Sequence, residues 1–293
     1  MRDKKTKENG IPFVAPMLIF LLLTTLLPII YVVVTGFFKN YLPDQSTSFV
    51  LFKNYLQIFK DPEFLTALYN TGVYVFFSVF FHVAFGLFMA MFLDKKGPLS
   101  GLARLMRGIF ITPWLLSWAV AASIWLLILN PAGVLNGLGM LLGLWNKQIP
   151  WFGETKYAMP WIIFITVWKA FPFYMMFIYA VLITIPQELY ESASIDGSNY
   201  LQKFFYVTLP YILPTLLTLT ILDIVWSIRQ FDIIFLTTGG GPVNSTETLS
   251  LYVYFTAFEK FRFGLASAQG VIIFLLSSIP TFIYIKIYNK VEI

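Results

Sequence analysis

The stretch that decides the fold class lies near the N-terminus, where residues 11–38 read IPFVAPMLIFLLLTTLLPIIYVVVTGFF. It contains no charged side chain, and about 20 apolar residues are enough for a helix to cross the ~30 Å hydrocarbon core of a membrane. Arg2, Lys4, Lys5 and Lys7 precede it, as basic residues precede the apolar part of a signal peptide. However, the stretch is too long for the apolar part of a signal peptide, and no small-x-small cleavage site follows it. We therefore predict a retained transmembrane helix.

The rest of the chain has the same apolar character. Of 293 residues, 58% are hydrophobic and 12% are charged, whereas soluble domains carry roughly 45–50% apolar and about 25% charged residues. The predicted spans are about Ile11–Phe38, Thr66–Leu93, Leu105–Leu129, Tyr157–Ile185, Val207–Leu236 and Leu265–Ile287. Because backbone groups in lipid must be hydrogen-bonded internally, each span is expected to be helical, with prolines at kinks or ends. The predicted fold class is an all-α polytopic membrane protein with six transmembrane helices.

The distribution of lysine and arginine predicts the orientation, since cytosolic loops carry an excess of both. The short 94–107 loop is strongly basic, with Lys95, Lys96, Arg104 and Arg107, and the N-terminal segment is basic as well. Both termini are therefore expected to be cytosolic. The formal net charge of +5 then reflects topology, and we expect no nucleic-acid partner.

The sequence contains few residues suited to catalysis or metal binding. It has no cysteine and one histidine, His82, in an apolar span; we interpret His82 as a partner in an interhelical hydrogen bond. The glycine-rich stretch Thr237–Thr246 lacks the Lys-Ser/Thr of a phosphate-binding loop, and Pro242 interrupts it. We interpret that stretch as an outer turn, and we expect no metal, cofactor or enzymatic site in this chain.

A polar stretch, YESASIDGSNYLQKFFYVTLPYILP (Tyr190–Pro214), separates the fourth and fifth predicted spans. We predict a short helix over about 186–196 and a second helix entering span five, where Pro210 and Pro214 bend it. The predicted capping residues are Thr184 with Gln187 as a capping box, Gly197 as a left-handed C-cap, and Ser198 or Asn199 as the next N-cap.

The first of these helices presents small side chains surrounded by acidic ones. The small residues are Ser192, Ala193 and Ser194, and the acidic residues are Glu188, Glu191 and Asp196. Such a surface allows the backbone of another protein to approach closely. A solvated amphipathic connector is the alternative that these residues leave open.

The polar loop also carries a recognisable motif. Its motif positions are Glu191, Ala193, Asp196, Gly197, Pro210 and Pro214, with Ser192 in place of the usual alanine. Further matching stretches are Trp168-Lys169 before Pro172-Phe173, FDIIFLTTGGGP (Phe231–Pro242) and FRFGLASA (Phe261–Ala268). In this order they resemble the permease subunits of binding-protein-dependent ABC importers, in particular the carbohydrate branch of the maltose and glycerol-phosphate type.

The resemblance implies a type I ABC importer permease fold, in which loop 186–206 forms a coupling helix seated on a separate ATPase subunit. The implied coupling residues are Glu188, Glu191, Ser192, Ala193, Asp196 and Gly197. The implied domains are a cytosolic tail, first helix and outer loop over 1–65, an ABC transmembrane type-1 domain of five helices over 66–287, and a cytosolic tail over 288–293.

The resemblance also implies partners and a function. The partners are two ATP-binding subunits that hold ATP and Mg²⁺, a second related permease, an extracytoplasmic sugar-binding protein and membrane lipid. The chain would form half of the translocation pathway of an ATP-driven importer for an oligosaccharide or glycoside, in the cytoplasmic membrane of a prokaryote.

Polar residues inside two spans are candidates for the sugar pathway, because ionisable groups in membrane spans are usually functional. Asp223, Trp226, Ser227 and Gln230 share one helical face at i, i+3, i+4 and i+7, and sugars need both hydrogen bonds and an aromatic plane. The candidates on the fourth span are Trp168 and Lys169. Lys169 lies at a depth similar to Asp223, which permits an ion pair, and helix packing is the alternative role for the whole set.

Small residues at Gly264 and Ala268, and at Ala266 and Gly270, are spaced four apart. This spacing predicts close helix contacts rather than a binding site.

The alternative function is an ion-coupled secondary carrier, since such carriers also place carboxylates near the membrane midplane. They are built from inverted repeats, and no such repeat is visible in this sequence. A coupling loop would have no role in such a carrier.

Overall fold

The computed structural model describes residues 11–44, 46–94 and 100–291. Within these ranges the protein is mostly helical, as predicted. Part of the charge pattern used for orientation lies outside the described residues, namely Arg2, Lys4, Lys5, Lys7, Lys95 and Lys96.

The helices of the described chain are numbered in chain order. They are α1 Ile11–Leu21, α2 Leu27–Thr35, α3 Lys53–Ile58, α4 Pro62–Phe92, α5 Ser100–Phe110, α6 Thr112–Leu115, α7 Trp118–Ile128, α8 Val134–Leu141, α9 Thr155–Leu182, α10 Gln187–Ile195, α11 Tyr200–Lys203, α12 Leu209–Ile228, α13 Asp232–Thr237, α14 Leu249–Phe258 and α15 Phe263–Val291. Two π-helical turns, Leu22–Leu26 and Phe204–Thr208, join α1 to α2 and α11 to α12.

Five helical segments of the described chain are long and apolar enough to cross a membrane. They are Phe13–Thr35, Pro62–Phe92, Thr155–Leu182, Tyr200–Ile228 and Phe263–Lys286. A sixth span results if the bent pair Gly101–Leu115 and Trp118–Ile128 is counted as one. The prediction of six spans agrees with this arrangement.

The third span is not the continuous helix predicted over Leu105–Leu129. The chain bends by 98° between its two halves, because Leu116 is extended with ψ of 146° and stops α6. Ser117 then caps α7, its hydroxyl accepting from the Val120 N–H at 3.2 Å. This local capping separates the span into two helices.

The fifth span also ends earlier than predicted, at Ile228 instead of Leu236. Phe231 leaves the helical region with φ of −125°, and a separate short helix, α13, starts at Asp232. An acidic residue in the first turn is favourable at a helix N-terminus. The residues beyond Ile228 therefore form a second helix rather than a continuation.

The structure divides into two compact units, the first comprising the chain up to Asp61 with Val253–Phe274. It contains an antiparallel hairpin of β1 Phe38–Tyr41 and β2 Ser46–Phe49, which the sequence analysis left within an outer loop. A Cβ on Gly264 would overlap the carbonyl oxygen of Phe38, so at this glycine α15 closely approaches the strand β1 and not another helix.

The second unit comprises Pro62–Tyr252 and the chain from Leu275 onward. Its core forms where α4, α9 and α12 pack together. The buried core residues are Ala90, Leu93, Ala103, Tyr174, Met175, Ile178, Leu182, Ile185, Ile212, Leu216 and Leu219. Gly86 allows α4 to approach α9 closely, since a Cβ there would overlap the Cβ of Tyr174. Large apolar side chains such as Phe76 and Phe80 stay exposed, as expected for surfaces in contact with lipid.

The glycine-rich stretch Thr237–Thr246 forms the predicted turn, between α13 and α14. Asn70 of α4 holds this region, since its Nδ2 donates to the carbonyls of Asn244 at 2.8 Å and Glu247 at 3.0 Å. These bonds place the turn against the N-terminal third of α4.

Candidate functional site

A small cavity of about 160 Å³, lined by both polar and aromatic side chains, lies among α4, α9, α12 and the bend of the third span. Its lining is Tyr74, His82, Trp114, Trp118, Thr166, Lys169, Ala170, Phe173, Tyr174, Asp223, Trp226, Ser227 and Gln230. Five of the six predicted pathway residues therefore meet at one place. Trp168 is the exception, because it packs edge-on against Trp125 at 5.5 Å between ring centroids.

The carboxylate of the cavity is held by neighbours on two helices. A hydrogen bond of 2.7 Å joins Asp223 Oδ2 to His82 Nδ1, and Ser227 Oγ donates to Asp223 Oδ1 at 3.2 Å. The His82 ring also stacks on Tyr174, with centroids 5.6 Å apart. Buried polar groups need such partners, so the predicted interhelical hydrogen bond of His82 is confirmed.

Lys169 does not form the ion pair with Asp223 that its depth permitted. Its Nζ donates to the carbonyl of Trp114 at 3.2 Å and lies 4.6 Å from the centroid of the Trp118 ring. In a continuous helix the Trp114 carbonyl would accept from the N–H four residues later, but the bend of the third span separates the two. The Trp114 carbonyl and the Trp118 ring therefore interact with the ammonium group of Lys169. His82 and Ser227 hydrogen-bond to Asp223 instead.

Aromatic rings form the other surface of the cavity. Phe173 contacts the ring of Trp226, with centroids 5.8 Å apart at 63°, and the ring of Trp114, at 5.8 Å and 29°. Trp226 is half exposed, so its face is available to a ligand. Gln230 Nε2 is buried and has no hydrogen-bond partner among the described residues. The cavity thus combines aromatic ring faces with a hydrogen-bond donor, Gln230 Nε2, that has no partner among the described residues.

Several cavity residues escaped the sequence analysis. These are Tyr74, Trp114, Trp118, Thr166, Phe173 and Tyr174. They lie on helices other than α12. For Thr166 and Phe173 the available signal was their spacing of three and four residues from Lys169 on α9, whereas spacing within one span does not show which other span it faces. For Trp114 and Trp118 the available signal was their spacing of four residues directly after a proline, where the span breaks.

The polar loop forms helix α10 with well-defined ends. Gly197 has φ of +77°, the Ser198 N–H donates to the Ala193 carbonyl at 2.9 Å, and the Gly197 N–H donates to the Ser194 carbonyl at 3.1 Å. This is a Schellman motif, so the predicted left-handed C-cap is confirmed.

The N-terminal caps agree with the prediction at one helix only. Asn199 caps α11 with a full capping box, its Oδ1 accepting from Gln202 N at 2.9 Å and its N–H donating to Gln202 Oε1 at 2.7 Å. The capping box predicted at α10 is wrong: Pro186 is the N-cap without a side-chain bond. Thr184 instead donates to the Val181 carbonyl at 2.8 Å, because it closes the last turn of α9.

The predicted coupling residues lie on the surface of this loop. Glu188, Glu191, Ser192, Asp196 and Gly197 are exposed, and Ala193 is half-buried. Ile195, which lies beside them, is 87% exposed and was not among the predicted coupling residues. An isoleucine within a short acidic helix was the signal that could have identified it.

Comparison with known proteins gives consistent matches over most of the chain. Residues 82–290 match the family model described as binding-protein-dependent transport system inner membrane component. The trehalose/maltose transport system permease protein MalF of Thermococcus litoralis is 32% identical over 279 residues, which cover 92% of each chain. The sulfoquinovosyl glycerol transport system permease protein SmoG of Agrobacterium fabrum is 32% identical over 275 residues, 93% of this chain and 88% of that protein.

Solved structures agree in fold. A chain from a bacterial ABC transporter involved in the import of the acidic polysaccharide alginate superposes with a TM-score of 0.83 at 21% identity, covering 95% of this chain and 94% of that one. A second structure, of that transporter type in complex with an alginate pentasaccharide-bound periplasmic protein, gives a TM-score of 0.81 at 21% identity, with 93% and 91% covered. Since the family model covers more than half of the chain and relatives above 30% identity span nearly all of it, this protein belongs to the family of binding-protein-dependent transport system inner membrane components.

Proposed function

We propose that the chain is the transmembrane permease subunit of an ATP-driven sugar importer, which takes up an oligosaccharide or a glycoside. The observation that carries this proposal is α10, an exposed helix with a Schellman motif at its C-terminal end, in a chain of the binding-protein-dependent transport family. Relatives named for trehalose and maltose and for sulfoquinovosyl glycerol support the substrate class.

Helix α10 and the residues around it are the docking element for an ATPase subunit. Glu188, Glu191 and Asp196 supply acceptors, while Ser192, Ala193 and Gly197 leave room for a neighbouring backbone. Ile195 is largely exposed and lies outside the apolar spans. A partner that covers it would gain stability, since burying such a side chain fully is worth about 1.5–3 kcal/mol.

This docking defines the orientation and the remaining partners. If α10 faces the cytosol, six spans leave both termini cytosolic, with the type-1 domain over 66–287 in the cytoplasmic membrane of a prokaryote. ATP and Mg²⁺ then bind two ATPase subunits, and a second related permease and an extracytoplasmic sugar-binding protein complete the complex. The periplasmic protein in the alginate transporter structure supports the last of these.

The cavity around Asp223 and Trp226 is part of the sugar pathway. Its volume of about 160 Å³ is below the roughly 300–1,000 Å³ of ordinary ligand pockets. A single permease therefore supplies one wall, and the second permease supplies the other. Trp226 offers a plane for the C–H face of a sugar, and Gln230 and Ser227 offer hydrogen bonds to its hydroxyls.

The test is reconstitution of the permease pair with its ATPase and binding protein in liposomes. We expect uptake of labelled sugar that requires both ATP and the binding protein, and Trp226→Ala should reduce uptake several-fold while the ATPase stays bound. Uptake by the permease alone, driven by a proton or sodium gradient, would establish the carrier alternative instead.

A further inference from the structure

Two side-chain hydrogen bonds connect α10 to the beginning of the fifth span. The hydroxyls of Tyr190 and Thr208 lie 2.9 Å apart, and Lys203 Nζ donates to Ser194 Oγ at 2.6 Å. The Tyr190–Thr208 bond is the more protected one, because Thr208 is buried and Tyr190 is half-buried, whereas Ser194 is exposed.

The two bonds end on either side of an irregular piece of backbone. Lys203 is the last residue of α11 and Thr208 is the last residue of the π-helical turn Phe204–Thr208. Single π-helical turns inside α-helices are rare and are found mostly at functional sites. Helix α10 is therefore bonded to the residues at both ends of this π-helical turn.

Side-chain packing between α10 and the start of the fifth span is incomplete. Tyr190 packs against the buried core that includes Leu182 and Ile212, but a cavity of about 230 Å³ lies beside it, lined in part by Asp94, Tyr190 and Lys203. The two hydrogen bonds therefore join α10 to the span beside a space that side-chain packing leaves incompletely filled.

We propose that Tyr190, through Thr208, is a positioning residue that makes α10 and the fifth span move together, with Lys203 and Ser194 as a weaker second link. The proposal rests on the proposed function, in which an ATPase displaces α10. The displacement is then passed along α12, which carries Asp223 and Trp226 to the cavity, instead of being lost in the loop. Neither Tyr190 nor Thr208 lines that cavity.

The experiment compares matched variants in the reconstituted complex with its ATPase and binding protein. Tyr190→Phe and Thr208→Val each remove one hydroxyl while preserving shape, and Thr208→Ser retains the hydroxyl. The quantities measured are sugar molecules imported per ATP hydrolysed, ATPase retained on purification, and the thermal unfolding midpoint.

We expect Tyr190→Phe and Thr208→Val each to lower import per ATP by about two- to tenfold, as loss of one hydrogen bond implies. ATPase retention and the unfolding midpoint should stay near wild type, and Thr208→Ser should import within about twofold of wild type. The double variant should be no worse than either single variant, because both remove the same bond. Lys203→Met should have a smaller effect, since its bond is exposed.

Three results would overturn the proposal. Unchanged import per ATP in Tyr190→Phe would show that the bond transmits nothing. Loss of the ATPase together with import would make Tyr190 a docking residue. Additive losses in the double variant would mean that the two hydroxyls act separately. Failure of the proposed function itself is distinguishable, because the wild-type complex would then neither retain the ATPase nor import sugar with ATP.

Discussion

The membrane cavity and the α10 loop both hold polar groups in fixed positions, but the partners that hold these groups come from different parts of the chain. In the cavity, Asp223 is held by His82, which lies 141 residues away in the sequence. In the loop, Gly197 and Asn199 are held by backbone and side-chain groups within five residues. Buried polar groups in an apolar span need partners from other helices, whereas an exposed helix end is satisfied by its own neighbours. The comparison shows that the cavity depends on hydrogen bonds between distant helices, whereas the loop depends on caps formed by neighbouring residues.

The sharpest test on the loop side is Glu191→Lys. If the exposed acidic residues pair with the ATPase, reversing one charge should weaken subunit association by about 2–5 kcal/mol, with uptake falling in parallel. Membrane insertion should be unaffected, because the loop lies outside the apolar spans. Pull-down of the ATPase at matched permease levels measures this. Ser192→Ala is the control and should retain the ATPase as wild type does; equal retention by both variants would refute pairing by Glu191.

Gly197→Val tests whether local backbone geometry is what the loop depends on. At φ of +77° a β-branched residue is strained by about 1–3 kcal/mol, so α10 should lose its end and uptake should fall by tenfold or more. Gly197→Asn is the matched control, because asparagine tolerates the left-handed region. ATP-dependent uptake in proteoliposomes separates the two. If valine and asparagine perform alike, the cap is not what positions the loop.

On the cavity side, Gly86→Ala tests long-range packing. The added Cβ would overlap Tyr174 and come within 3.2 Å of the Met175 nitrogen, and overpacking of this kind costs about 1–3 kcal/mol. Gly72→Ala on the same helix has nothing within 4 Å of its Cβ and should be neutral or slightly stabilising. Relative to wild type, the thermal unfolding midpoint of the purified protein should therefore be lower for Gly86→Ala and equal or slightly higher for Gly72→Ala. A neutral Gly86→Ala would mean that α4 and α9 are not packed as described.

The smallest expected difference is between Asp223→Ala and Ser227→Ala. The first leaves both His82 Nδ1 and Ser227 Oγ without their acceptor, while the second removes only the 3.2 Å bond. Hydrogen bonds between transmembrane helices average about 0.6 kcal/mol with a maximum near 1.7 kcal/mol, so Asp223→Ala should destabilise by about 1–2 kcal/mol and Ser227→Ala by less. Denaturant unfolding in detergent provides the comparison. Equal losses would show that the bond to His82 contributes nothing.

The sequence alone predicted what depends on composition and on neighbouring residues. Runs such as 11–38 predict membrane helices because lipid leaves the backbone no other way to bond its polar groups. Gly197 was correctly predicted as a C-cap, and Asn199 is one of the two residues predicted as the next N-cap, because capping needs only the adjacent turn. Four of the pathway candidates, Asp223, Trp226, Ser227 and Gln230, lie at one cavity because their spacing already places them on one helical face.

Tertiary structure decided which helices meet and where the spans break. No local pattern shows that Asp223 pairs with His82 rather than with Lys169, because both partners lie on other helices at similar depth. The bend at Leu116 releases the Trp114 carbonyl that Lys169 uses, and only the packed arrangement brings the two together. Trp168 faces Trp125 instead of the cavity for the same reason: the face that a membrane helix turns inward depends on its neighbours, and a span that is apolar all round does not reveal that face.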